Sequence, residues 1–180
     1  WKKFGNSLLL RMGLRVVDAN GFTVRANANI NSAITGGVFT SNDDNAALHY
    51  EGATPNTNPV WVDLVQSGRS DFVAANTVID FMNNLADPRR EVYFDQNLGA
   101  GVYVGGPYGD NNSYSSYTHV GAAMLEPTNP ACLIDFAEVC FYRADAAERS
   151  ISGTPAGAGA FYTAGITASF EYWGATGLAG

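Results

Sequence analysis

The segment from Pro130 to Arg149 limits the possible folds more than any other part of the chain. Leu133, Phe136, Ala137, Cys140, Ala144 and Ala147 recur at helical spacing and line one face, as a helix resting on a core requires. Pro130 suits the first turn, where its missing N–H costs nothing. Ser152–Gly153–Thr154–Pro155 breaks this helix. A second run follows from Pro155 to about Trp173, with Phe161, Tyr162, Ile166, Ser169 and Trp173 inward. Gly157, Gly159 and Gly165 lower its helix propensity, so close packing is expected to offset them. Two helices joined by about five residues make an antiparallel hairpin. The chain is therefore read as mainly α, with tetratricopeptide-like helical hairpins, long irregular loops and at most short strands. No second clean copy recurs at a fixed period.

Trp1 to about Val17 predicts another helix, with an apolar stripe of Trp1, Phe4, Leu8, Met12 and Val16 and a stop at Asn20–Gly21. A weaker helix runs from about Thr23 to Ile34 and ends at Gly36–Gly37. Phe39 to Pro59 is polar and turn-rich and reads as loop. Trp61–Val65 fits either a short helix or a short strand. Asn76 is placed to cap a helix whose apolar side is Val78, Met82 and Leu85 and which stops before Asp87–Pro88. Glu91–Phe94 and Gly101–Val104 fit short strands.

With 180 residues, one domain is the expectation. The net charge of −7 argues against nucleic acid, whose phosphates demand a basic face, and against anionic lipid as a partner of the domain body. No stretch approaches the ~20 apolar residues of a membrane span. The chain opens inside an amphipathic pattern at Trp1, with no initiating Met and no signal peptide. It is expected to be a fragment of a longer protein whose export signal or anchor lies upstream. Cys132 and Cys140, eight residues apart on the predicted helix, would lie ~12 Å apart and could not pair.

Catalytic motifs are scarce. His49 and His119 are the two histidines, and neither sits in a His-Glu-x-x-His frame. Gly99–Val104 and Gly157–Tyr162 lack the third glycine of a dinucleotide loop, and Gly-Lys-Ser/Thr is absent. Asp43–Asp44 and Asp110–Ser113 read as turns rather than cation sites. The residues call for no cofactor and no metal.

What remains is Gly99–Gly121, which holds four of the nine tyrosines and six of the twenty glycines. Glycine lets a backbone approach a ligand closely, and tyrosine offers a flat apolar face ending in a hydroxyl. Sugar rings stack on such faces while Asn and Asp hydrogen-bond their hydroxyls. The candidate ligand-binding residues are Trp61, Tyr103, Tyr108, Asp110, Asn111, Asn112, Tyr114 and Tyr117.

Several segments, in order, resemble the SusD/RagB-like outer-membrane nutrient-binding lipoproteins. Trp1–Arg15 resembles that family's W-x-K-F-A-N-S-L-x-L-R helix. Arg69–Thr77, followed by Asp87–Pro88–Arg89 and Tyr93–Phe94, is similar to its helix and D-P-R…Y-F segment. Ala137–Arg149 resembles its Y-A-E-V-x-F-L-x-A-E-A-A helix, and Tyr162–Gly174 the helix that follows. Tyr103–Gly109 sits where one branch carries a comparable glycine-rich segment. Gly5 and Gly13 replace the usual alanines, Phe136 the usual Tyr and Asp145 the usual Glu.

The resemblance implies a SusD-like, mainly α domain fragment over residues 1–180, lacking the N-terminal lipid-attachment segment. It implies a non-enzyme in the cell outer membrane, facing outward and touching the membrane only through a lipid anchor. Such a protein binds glycan and delivers it to a TonB-dependent SusC-like transporter, with no nucleic acid and no cofactor. Peptide or another nutrient on the same scaffold, a purely structural docking module and a glycoside hydrolase are the alternatives.

Overall fold

In the computed structural model, which describes residues 1–152 and 155–176, Lys2–Val16 forms helix α1 and Thr23–Gly36 forms helix α2. The boundaries follow the sequence closely, and Gly37, at φ +92°, ends α2 with its N–H on the Ile34 carbonyl. The buried face of α1 does not. Ser7, Leu10 and Gly13 point inward, while Trp1 is fully exposed and Met12 59% exposed. Of the predicted stripe, Phe4 alone packs against the core cluster. The reason is size. A Cβ on Gly13 would fall 2.7 Å from Ile30 Cγ1, so the side that lacks bulk is the side α2 can approach. Ser7 Oγ, fully buried, accepts the Phe39 N–H at 3.0 Å and joins the segment after α2 to α1.

These elements belong to one of two compact units, which comprises Trp1–Leu48 and Cys132–Tyr172. Its core includes Leu10, Ile30, Phe39, Ile134 and Val139. The turn at Asp43–Asp44 is structural: the Asp44 carboxylate accepts from Lys3 Nζ at 2.6 Å and from the Thr40 N–H at 2.8 Å. After it comes a short strand, β1 (Ala46–Leu48), in a stretch read as loop. It pairs with β2 (Ala131–Ile134), which replaces the predicted first turn of the helix at Pro130. The helix itself, α6, spans Phe136–Glu148. Asp135 starts it by accepting the Glu138 N–H at 2.6 Å, the bond an N-cap supplies. Leu133 and Cys132 therefore lie on an exposed strand, and Cys140 alone of the two cysteines is buried; both are free thiols.

Helix α7 spans Pro155–Tyr172. The break expected at Ser152–Pro155 falls partly outside the described residues. α6 and α7 pack antiparallel, because Gly165 meets Ala137 and Phe141 while the Arg143 guanidinium lies 3.9 Å over the Phe161 ring. A Cβ on Gly165 would sit 3.0 Å from the Phe141 ring, so the close packing expected at the glycines occurs there. At Gly159 it does not, since nothing lies within 4 Å of a Cβ. Ala158, Gly165 and Ala168 form the buried side, whereas Tyr162 and Ile166, predicted inward, are exposed. A smooth, small-residue face again decides the contact.

The second unit comprises His49–Ala131 and, among the described residues, Trp173–Thr176. Asn58 caps α3 (Pro59–Trp61) through the Val60 N–H at 2.7 Å, and the chain continues in a π turn over Val62–Gln66. Helix α4 spans Asn76–Asn84 and buries Ile79 and Met82, with Val78 and Leu85 outward rather than inward. Arg90–Tyr93 is the short helix α5, not the expected strand. Gly101–Val104 is likewise no strand: the Val104 N–H goes to the Thr118 side-chain Oγ1, and the bridges nearby are single, Ala75 with Gly106 and Phe94 with Val120. Among the described residues, no helix is long and apolar enough to cross a membrane.

Candidate functional site

The 99–121 segment is held to its own unit by backbone bonds. Thr118, fully buried, is the central tie: its N–H donates to the Val104 carbonyl (2.9 Å), its Oγ1 accepts the Val104 N–H (2.8 Å), and its carbonyl accepts the Ala74 N–H (2.8 Å). The Gly106 N–H donates to Ala74 and its carbonyl accepts the Asn76 N–H, each at 2.8 Å. Beside this bridge Gly105 lies flat against the start of α4, where a Cβ would come within 2.3 Å of Asn76 Cα. The Asn76 side chain does not cap α4. Its Oδ1 accepts the Tyr108 N–H at 3.1 Å and fixes the outer turn instead.

That turn is Pro107–Tyr108–Gly109–Asp110, closed by the Asp110 N–H on the Pro107 carbonyl at 3.2 Å. Gly109 stands at φ +85°, the third-position geometry of a type II turn that favours glycine. The following residues lock it: the Asn112 amide donates to the carbonyls of Pro107 and Asp110, both at 3.1 Å, and Asp110 Oδ1 accepts the Asn111 N–H at 2.8 Å. Tyr108 is thereby held on a tied backbone with 82% of its surface exposed. A groove of about 420 Å³ opens beside it, lined by Tyr108, Asp110, Asn111 and Asn112 from the loop and by Asp71, Phe72 and Val73 from the segment before α4.

Asp71 and Phe72 escaped the sequence reading. Residues 68–74 carry no regular element, so no period marks them, and the expected helix there is absent. Arg69 organises the pair. Its guanidinium lies 4.9 Å over the Phe72 ring and binds the Asp71 carboxylate through Nε (3.1 Å) and Nη2 (2.6 Å). The hydrogen bond from Arg69 holds the Asp71 carboxyl below the ordinary carboxylate range.

The other predicted residues fall elsewhere. Tyr103 is 6% exposed and packs with Ala74, Ile79 and Phe94, so its ring supports the loop from beneath. Tyr114 stacks on His119, ring centroids 3.7 Å apart, and the His119 Nε2 lies 2.8 Å from the Tyr114 carbonyl. The Tyr117 carbonyl accepts from Asn97 Nδ2 at 3.0 Å. Trp61 ends α3 and does not line the groove.

Below the loop, Asp87–Pro88–Arg89 forms a knot. The Asp87 carboxylate, 6% exposed, accepts the Arg89 N–H and Nε (both 2.9 Å) and Nη2 (2.5 Å). Arg90 Nε donates to the Asp87 carbonyl at 3.0 Å and its Nη1 to Asn83 Oδ1 at 2.8 Å, while Asn83 Nδ2 holds the Tyr103 carbonyl at 3.0 Å. The Asp87 carboxylate thus fixes Arg89, while the Asp87 main chain reaches Tyr103 of the loop through Arg90 and Asn83. The Arg89 hydrogen bond holds the Asp87 carboxyl below its usual range. A depressed carboxylate contributes stability that is present above its unfolded pKa of about 3.9 and is lost as pH falls through the folded value. Asp87→Ala leaves Arg89 without this partner and is expected to destabilise the second unit by about 2–3 kcal/mol near neutral pH. Urea unfolding from pH 7 down to 2 checks it: the gap between wild type and variant should shrink only below about pH 4.

The whole chain, residues 1–180, matches the model of a SusD-like family described as starch-binding and associating with the outer membrane. No curated protein matches it. Among solved structures it is similar to a SusD homologue from Bacteroides thetaiotaomicron, with 30% identity, TM-score 0.83, and coverage of 98% of this chain and 36% of that one. It is also similar to a SusD homologue from Bacteroides ovatus (31%, TM-score 0.79, coverage 98% and 37%). A chitin-binding SusD homologue from Flavobacterium johnsoniae aligns at 28% identity and TM-score 0.75, covering 97% of this chain and 36% of that one. The chain spans little more than a third of the length of these relatives.

Proposed function

The chain belongs to the SusD-like family of starch-binding, outer-membrane-associated proteins, and on that premise we propose that it contributes a non-catalytic oligosaccharide-binding surface to a glycan uptake system. The observation that carries this reading is the groove beside Tyr108. An exposed aromatic ring stands on a backbone whose hydrogen bonds are already made, so binding need not order it. Phe72, with Arg69 over one face of its ring, supplies a second apolar surface. The Asn111 amide supplies donors, and Asn112 Oδ1 and the second Asp110 oxygen supply acceptors, for sugar hydroxyls. Capture by stacking and hydrogen bonding requires no covalent step. The protein faces outward at the outer membrane, tethered by a lipid anchor, and passes its ligand to a TonB-dependent SusC-like transporter.

Calorimetric titration of the intact protein against starch and chitin oligosaccharides and against a peptide panel tests the reading. Saturable binding of an oligosaccharide, recovered unchanged, is expected. Binding of peptides alone, or turnover of a glycan that one carboxylate substitution abolishes, would overturn it.

A further inference from the structure

The charge of the groove sorts ligands within that reading, on which this inference rests. Two of its lining residues are carboxylates, Asp71 and Asp110, and none is Lys, Arg or His. The nearest cation in sequence, Arg69, is bound bidentately to Asp71 and lies on the Phe72 face, so its charge is answered before any ligand arrives. The remaining polar side chains, the amides of Asn111 and Asn112 and the Tyr108 hydroxyl, carry no positive charge. The chain as a whole carries −7 and adds long-range repulsion to any approaching anion.

We propose that the groove takes uncharged and amino-bearing glycans and rejects those bearing uronate or sulfate groups, with Asp110 as the specificity-determining residue. An anionic sugar seated on Tyr108 would bring its charge against Asp110 with no cation to offset it, the like-charge juxtaposition by which interfaces exclude wrong partners. Asp71 contributes less, because Arg69 screens it. An amino group on the sugar, by contrast, gains from the same carboxylate.

The test is a titration of the intact protein with three hexasaccharides: a neutral N-acetylated chitin oligomer, its deacetylated counterpart and a polygalacturonate. At low salt the uronate should bind at least about tenfold more weakly than the neutral oligomer, and the gap should narrow in high salt. Asp110→Asn keeps a side-chain oxygen for the Asn111 N–H, so the turn is retained, and it should raise uronate affinity severalfold while weakening the deacetylated oligomer. Uronate binding equal to or tighter than neutral binding, or an unchanged ratio in Asp110→Asn, would overturn the inference and leave glycan capture standing. Failure of all three sugars to bind, together with failure of starch oligosaccharides, would overturn the glycan reading along with it.

Discussion

Gly105→Ala is expected to destabilise the second unit by about 3 kcal/mol and to abolish ligand binding with it. The added Cβ would lie 2.3 Å from Asn76 Cα and 2.5 Å from Asn76 N, both backbone atoms that cannot rotate away. Relief requires the loop to lift from α4. That movement breaks the Asn76–Gly106 and Gly106–Ala74 hydrogen bonds and the tie from Tyr108 to the Asn76 side chain. Gly109→Asn is the informative contrast. Its φ of +85° suits Asn better than most residues, and nothing lies within 4 Å of a Cβ, so the cost should stay below about 1 kcal/mol. Amide hydrogen exchange at Asn76 and Gly106 reports the difference directly. Fast exchange in Gly105→Ala with protection kept in Gly109→Asn is predicted. Protection at both amides in Gly105→Ala would show that the loop is not pinned at this contact.

Much of the helical scaffold was legible because its boundaries are set by local chemistry. Gly37 stops α2, and Asp87–Pro88 lies just beyond α4, at the positions their residue types suggest. Buried faces were less legible. The predicted stripe of α1 gathers its large apolar residues, yet α2 approaches where Gly13 leaves room. The same holds for α7, whose inner face is Ala158, Gly165 and Ala168 rather than Tyr162 and Ile166. Hydrophobic periodicity finds bulk, whereas close helix pairing selects its absence. The strand at Ala131–Ile134 was hidden because its apolar residues continue the helical pattern of α6, and only a partner in Ala46–Leu48 distinguishes them.

The site divides in a similar way. The loop half of the groove was visible in composition, as tyrosine beside glycine and amide residues. The other half, Asp71 and Phe72, lies over thirty residues upstream in irregular backbone, and only the fold brings it alongside. Tyr103 and Tyr108 look equivalent in the sequence, five residues apart. Burial separates them: one ring is in the core and the other stands in solvent.

In the proposed mode of capture, Tyr108 and Phe72 are the stacking faces for sugar. Replacing both in the intact protein, Tyr108→Ala with Phe72→Ala, removes the two rings and leaves the backbone tie from the Tyr108 N–H to Asn76 in place. Calorimetric titration of that double variant with an oligosaccharide that the wild-type protein binds is the most direct measurement. Affinity should fall at least about a hundredfold, the scale expected when two aromatic anchors are truncated, with exchange protection at Asn76 and Gly106 unchanged. Wild-type affinity in the double variant would contradict the proposed mode and place glycan capture away from this groove.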